Sequence, residues 1–236
     1  MKRTLILGLI LTVMLFSSCS KSYEDSMSSA TELIKSEQYV EALELFDNAV
    51  NKAETASERI MANIEAGNLS SKYLHDLEKA EAYYKATIAD VGNYSQNDLH
   101  DLAQQALGAQ ANMAAVDMYK IMLEKFSTSS DAIVLEYELA EVYHKNVRDL
   151  RKAIETYTEI YSQYPNTEQA PKALFSVGYI YANELAENDS AVKYYSLFLE
   201  KYPDHEMAPS VDFELKYLGK SLEEIPELQH LLQKTS

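Results

Sequence analysis

AEVYHKNVRDLRKAIETYTEIYSQYP, residues 140–165, and GYIYANELAENDSAVKYYSLFLEKYP, residues 178–203, are one pattern written twice at a step of 38 residues. Each copy opens on a small residue, Ala140 or Gly178, with tyrosine three positions on, Tyr143 or Tyr181. Thirteen positions after the small residue comes an alanine, Ala153 or Ala191, with a second tyrosine four later, Tyr157 or Tyr195, and then Pro165 or Pro203. Pro171 and Pro209 repeat at the same step. A fixed period of this length marks stacked copies of one supersecondary unit. The alanine and aromatic couple continues upstream as Ala115 with Tyr119, Ala80 with Tyr84 and Ala42 with Phe46, at steps of 38, 35, 38 and 38. Five units are predicted.

The spacing has a physical reason. Offsets of four and seven, as in Ala153, Tyr157 and Ile160, put three side chains on one helix face, the stripe that must be buried. The small residue admits a neighbouring helix and the aromatic fills the space beside it. The upstream small residues Gly67, Ala140 and Gly178 leave room for a helix, a turn and its partner, so each unit is predicted as an antiparallel helix pair. Pro165 and Pro203 end the second helix, because proline donates no hydrogen bond and restricts the residue before it. Pro171 and Pro209 fall where the next helix begins, where a missing N–H does no harm. The ladder tyrosines are expected to be core rather than site.

These residues resemble the tetratricopeptide repeat (TPR), a helix-turn-helix unit of 34 residues. Against it each unit here has four more residues, one in the inner turn and three after the proline, as in Tyr164 to Pro171. That long variant resembles the repeats of bacterial envelope proteins, the BamD-type lipoprotein of outer-membrane β-barrel assembly and the periplasmic TPR protein of the Tol-Pal system. The match is specific over 131–218 and looser over 28–126, where Glu54, Gly92 and Ser127 stand at the proline position. The resemblance implies an all-α, right-handed solenoid of about five helix-turn-helix repeats, placed at 30–220, with capping helices at 221–236. Residues 206–219 repeat the upstream helix once more, Phe213 following Phe175 and Tyr217 following Tyr179. A break and a short final helix are then expected to cover the last unit.

The N-terminus carries a second signal. Lys2 and Arg3 precede an apolar run from Thr4 to Phe16, followed by Ser17, Ser18 and Cys19, the one cysteine of the chain. The run is too short to span a bilayer as a helix and reads as a secretory signal over 1–18. A lone cysteine at the cleavage point resembles a bacterial lipobox, which implies that Cys19 is lipidated; an ordinary signal peptide or an uncleaved anchor are the alternatives. Several acyl chains on one residue hold a protein stably on a membrane. The polar, serine-rich stretch 19–29 is expected to be a flexible tether. Ser20 in place of aspartate after the cysteine implies, by the same resemblance, the outer membrane and a chain facing the periplasm.

Composition narrows the partners. With 21 basic against 37 acidic side chains and a net charge of −16, nucleic acid is not expected, since phosphate neutralisation needs a basic face. Basic peptides or proteins fit better. Catalytic motifs are lacking: no phosphate loop, no Gly-x-Ser-x-Gly elbow, no His-Glu-x-x-His. His75, His100, His144, His205 and His230 are dispersed. Glu141 and His144 share a helix face as a conceivable metal or acid-base pair, outweighed by a solvated helical turn. No enzyme, cofactor or metal is expected.

Binding is therefore the expected activity. In TPR arrays the upstream helices line the groove, and positions three before and one and four after the small residue face the ligand. By resemblance this assigns Tyr137, Glu141 and His144 around Ala140, then Phe175, Tyr179 and Ala182 around Gly178, then Phe213 and Tyr217 in the half-unit, an aromatic run rimmed by Glu141 and Asp212. The aromatics would supply contact area and the acids would select a basic or amino-terminal segment. Alternatively, Phe175 and Phe213 pack between units and only the tyrosines are exposed. Three roles follow: an envelope scaffold in outer-membrane assembly or maintenance, a pilotin-like lipoprotein aiding a secretin or pilus, or a small-ligand protein.

Overall fold

The computed structural model describes residues 22–126 and 131–226. Among them are eleven α-helices and no strand: α1 (Tyr23–Lys35), α2 (Tyr39–Lys52), α3 (Ala56–Lys72), α4 (Leu77–Thr87), α5 (Gln96–Gly108), α6 (Asn112–Phe126), α7 (Ala132–Glu141), α8 (Leu150–Gln163), α9 (Gln169–Tyr179), α10 (Asn188–Lys201) and α11 (Ala208–Tyr217). They pair as five antiparallel hairpins, with α11 as the expected half-unit. Within the hairpins α1 packs on α2, α3 on α4, α5 on α6, α7 on α8 and α9 on α10. Between units, α2 meets α3, α6 meets α7, α8 meets α9 and α10 meets α11.

The ladder is the core. Ala42, Phe46, Ala80, Tyr84, Ala115, Tyr119, Ala153, Tyr157, Ala191 and Tyr195 are all at most 1% exposed. Three hydrophobic clusters overlap along the chain, one from Ala30 to Leu69, one from Ile60 to Ile180 and one from Leu174 to Val211. Each unit thus buries its stripe against its neighbours, as a solenoid requires. The small upstream residues are small for a measurable reason. A Cβ on Gly67 would stand 2.8 Å from the Tyr84 ring, and one on Gly178 2.6 Å from the Tyr195 ring.

The inner turns share a feature of backbone rather than of side chain. Glu37, His75, Gln110, Arg148 and Ala186, each five residues before a ladder alanine, have φ between 54° and 63°. This left-handed residue reverses the chain after each upstream helix, a position that glycine usually fills. In the first and third units the turn closes five residues back, Gln38 N–H to the Leu33 carbonyl at 2.9 Å and Ala111 N–H to Ala106 at 2.8 Å. The second, fourth and fifth close six back, Asp76 to Ser70, Asp149 to Tyr143 and Glu187 to Tyr181, at 2.8–2.9 Å. In the fourth and fifth units the additional residue is taken up at the end of the upstream helix, which widens into π turns at Val142–Val147 and Ile180–Glu184. A left-handed alanine costs about 1–2 kcal/mol through its Cβ. Ala186→Gly is therefore expected to stabilise by about 0.5–1 kcal/mol, after the extra freedom of the unfolded chain, and to raise the melting temperature by about 1–3 °C. Differential scanning calorimetry reads this directly; a lowered melting temperature contradicts it.

Where the proline is replaced, other contacts hold the junction. Arg59 grips Asp90 through Nε to Oδ2 at 3.0 Å and Nη2 to Oδ1 at 2.6 Å. Hydrogen bonding to Arg59 holds the Asp90 carboxyl below the usual range. Lys125 Nζ reaches the carbonyl of Gly92 at 3.0 Å.

One boundary differs from expectation. The tether expected over 19–29 is helical from Tyr23, so the array begins before residue 30: Ser22 caps α1 by accepting from Asp25 N–H at 3.2 Å, and Ser26 and Ala30 are buried. Small residues at that spacing let α1 lie close on α2, so little hydrophobicity suffices. The signal segment and Cys19 lie outside the described residues. At the other end, Gly219 (φ 76°) breaks α11 from a short 3-10 turn at Leu222–Glu224. The final helix expected within 221–236 falls largely on residues outside the description.

Candidate functional site

Upstream helices α7 and α9 bring most of the expected groove residues together. Tyr137 on α7 is half-buried with its ring 5.5 Å from that of Tyr157. Phe175 on α9 is half-buried, stacked on Tyr195 at 5.9 Å and 6.2 Å from Tyr179. Tyr179 is 39% exposed. Phe213 is half-buried against Tyr217, the rings 4.8 Å apart. Glu141 is partly exposed and paired with Lys145.

Two residues need correction. His144 does not face the groove: it is 7% exposed, and its Nε2 hydrogen-bonds Glu184 Oε1 across the unit boundary. Its ring lies between those of Tyr157, at 6.3 Å, and Tyr179, at 6.4 Å. The π turn following α7 rotates the side chain inward, which a regular helix register does not anticipate. Tyr217 is 8% exposed rather than presented to a ligand, its face covered by Lys216 Nζ at 4.7 Å and Lys220 Nζ at 5.3 Å. The alternative that Phe175 packs between units and Tyr179 is exposed describes the fifth unit.

Glu184 and Arg148 belong to this site and escape sequence reading. Arg148 Nη2 stands 2.6 Å from Glu184 Oε2, so one carboxylate receives both His144 and Arg148. Arg148 is the left-handed residue of its turn and Glu184 ends the second π turn. Only their backbone geometry brings them together.

Beneath the strip runs a line of phenols. Tyr84 donates to Asn68 Oδ1 at 2.8 Å, and the Tyr119 hydroxyl accepts from Gln104 Nε2 at 2.9 Å. The hydroxyls of Tyr137 and Tyr157 both lie beside Ser176, and that of Tyr195 has no protein partner among the described residues. Burial pushes the Tyr84, Tyr119, Tyr157 and Tyr195 phenols well above their ordinary range. They remain neutral and serve packing. Among the described residues, no three His, Cys, Asp or Glu side chains gather as metal ligands would.

Cavities open further upstream. One of about 690 Å³ lies over α3, reaching from Ile34 to Gln110. Another, about 350 Å³, is lined by Ile64, Tyr94, Asp98 and Asp101. A third, about 220 Å³, lies at His100 and Glu138, whose Nε2 and Oε2 are 3.0 Å apart. The offsets that assign the groove around Ala140 give Ile64, Asn68 and Ser71 when applied around Gly67, so the sequence held this signal.

Among solved structures, the fold is similar to YrrB, described as a TPR protein with an unusual peptide-binding site, at 14% identity over 82% of this chain and 99% of that one, TM-score 0.42. It is also similar to BtubC from P. vanneervenii, at 14% identity over 91% and 89% of the two chains, TM-score 0.44. Pseudomonas aeruginosa PilF is similar at 12% identity over 90% and 97%, TM-score 0.37. No curated protein gives a significant sequence match. The tetratricopeptide repeat model matches residues 135–167 and 172–205, which hold α7 to α10 and the exposed Tyr179. Over those two units the chain is similar to tetratricopeptide repeats.

Proposed function

We propose that this chain is a non-enzymatic scaffold that binds an extended, basic segment of a cell-envelope protein along its upstream helices, while an acylated Cys19 holds it on the periplasmic side of a bacterial outer membrane. Its service is to outer-membrane assembly or maintenance. The observation that carries the binding role is the aromatic strip Tyr137, Phe175 and Tyr179, which crosses the boundary between two repeats and leaves Tyr179 39% exposed. Amphipathic aromatics of this kind are what interfaces use as anchors. The membrane role rests on the leader and Cys19 at the N-terminus.

Crosslinking in membranes with an affinity tag after Ser236, followed by mass spectrometry, tests both parts. The unmodified chain is expected to capture a β-barrel assembly or Tol-Pal component, Cys19→Ala to lose it from the membrane fraction, and Tyr179→Ala to weaken capture about 10-fold or more with helical content unchanged. Capture of a secretin or pilus subunit replaces this role with a pilotin-like one, and undiminished capture by Tyr179→Ala removes the strip from the binding face.

A further inference from the structure

By the repeat step of 38 residues, Tyr157 with Ser176 corresponds to Tyr195 with Glu214 one boundary further on. At the first boundary the ladder hydroxyl lies beside the serine. At the second, the titratable neighbours of the Tyr195 phenol are the Glu214 carboxylate on α11 and the phenol of the exposed Tyr179, which brings carboxylate and exposed ring to one place. A neutral group is enough for a buried hydroxyl, as Asn68 Oδ1 is for Tyr84; a carboxylate brings a full charge that packing does not need. Tyr195 is fully buried, and its hydroxyl has no partner among the described residues. Glu214 is half-buried and makes no ion pair among them, an arrangement that costs free energy until a partner arrives. The cations around the strip have carboxylates of their own: Lys145 has Glu141, Arg148 has Glu184 and Lys172 has Glu168. Lys216 and Lys220 lie over the Tyr217 ring. Glu141, the acid expected to select a basic segment, is therefore already paired, and Glu214 is not.

An unpaired carboxylate beside an exposed aromatic ring matches a planar cation. A guanidinium stacks on a tyrosine face and meets a carboxylate through two parallel hydrogen bonds, whereas an ammonium is compact, strongly hydrated and gains less from the ring. A carboxylate has acceptor sites enough for such a fork and for the Tyr195 O–H as well. We propose that Glu214 is the specificity-determining residue of the binding face, taking an arginine side chain of the partner whose guanidinium stacks on Tyr179. The proposal rests on the scaffold reading above and deepens it, naming arginine as the partner's anchor and the boundary between the fifth unit and α11 as its seat.

The test is fluorescence anisotropy of the full chain in detergent with a fluorescein-labelled octapeptide alternating arginine and leucine, against the same peptide with citrulline, the uncharged analogue of arginine. The arginine peptide is expected to bind about 10-fold or more tightly than the citrulline peptide. Glu214→Gln is expected to bring the arginine peptide down to the citrulline affinity, and Glu214→Lys to abolish its binding. Glu155→Gln, at an exposed acid of α8, is expected to leave both affinities unchanged, and Tyr179→Ala to weaken both peptides, with circular dichroism confirming that each variant folds. Weakening by Tyr179→Ala while Glu214→Gln has no effect keeps the strip as the binding face and overturns the role of Glu214. Equal affinity for the two peptides, or equal loss in Glu214→Gln and Glu155→Gln, overturns it too. Binding of neither peptide also overturns it, and whether the scaffold reading falls with it is then read from Tyr179→Ala in the crosslinking experiment.

Discussion

Tyr157→Ala is expected to lower the unfolding free energy by about 3–5 kcal/mol, the range for truncating a large buried aromatic. The ring is 1% exposed and lies at the meeting of two units, 5.5 Å from the Tyr137 ring and 6.3 Å from that of His144, with its hydroxyl beside Ser176 of the next unit. Truncation removes the transfer energy and leaves a cavity that rigid helix pairs close only in part. Against a total of about 5–15 kcal/mol for a domain, this is a large share. The loss is also local to one interface, so the fourth and fifth units should uncouple and urea unfolding followed by far-ultraviolet circular dichroism should broaden or split. Tyr157→Phe keeps the ring and should cost only about 1 kcal/mol, the worth of a hydroxyl's hydrogen bond. A cost below about 1 kcal/mol for the alanine variant contradicts a core role for the ladder.

That ladder was legible because its cause is geometric and repeats. An alanine with an aromatic four later can be buried on one helix face in one way, and each copy confirms the others; Ala42 and Ala191 are both fully buried, 149 residues apart. The site was legible only in part. Tyr179 stands exposed as the repeat offsets imply, because α9 is regular up to that residue. His144 lies within a π turn, and a widened turn changes which way its side chains face without leaving a mark in apolar periodicity. Glu184 and Arg148 depend on a π turn and a left-handed residue for their positions. The helix over Tyr23–Lys35 escaped for another reason: its buried face includes Ser26 and Ala30, whose small side chains pack closely while reading as polar or neutral in composition. Of the cavity over α3, the offsets around Gly67 give Asn68 and Ser71, while its residues at the ends of α1 and α5 carry no such mark.

Glu184→Ala should test whether the His144 cluster sets the spacing of the binding face. The Glu184 side chain is 12% exposed and that of His144 9%, and Nδ1 of His144 is already buried without a partner among the described residues. Removing the carboxylate leaves the imidazole with neither nitrogen bonded and the Arg148 guanidinium with its 3.4 Å contact to the His144 carbonyl. The expected cost is about 2–3 kcal/mol, more than one neutral hydrogen bond and less than a fully buried ion pair, because Arg148 keeps access to water. A double-mutant cycle isolates the coupling: His144→Ala with Glu184→Ala should cost about 1–2 kcal/mol less than the two single losses together. The ring of Tyr179 lies 6.4 Å from that of His144, so loosening the bridge also frees the tyrosine that anchors the partner. Partner capture by Glu184→Ala should therefore fall at temperatures where circular dichroism still shows a folded chain. Additive costs in the cycle together with unchanged capture separate the bridge from the binding face; coupled costs with reduced capture make the contact between units the element that holds Tyr179 in place.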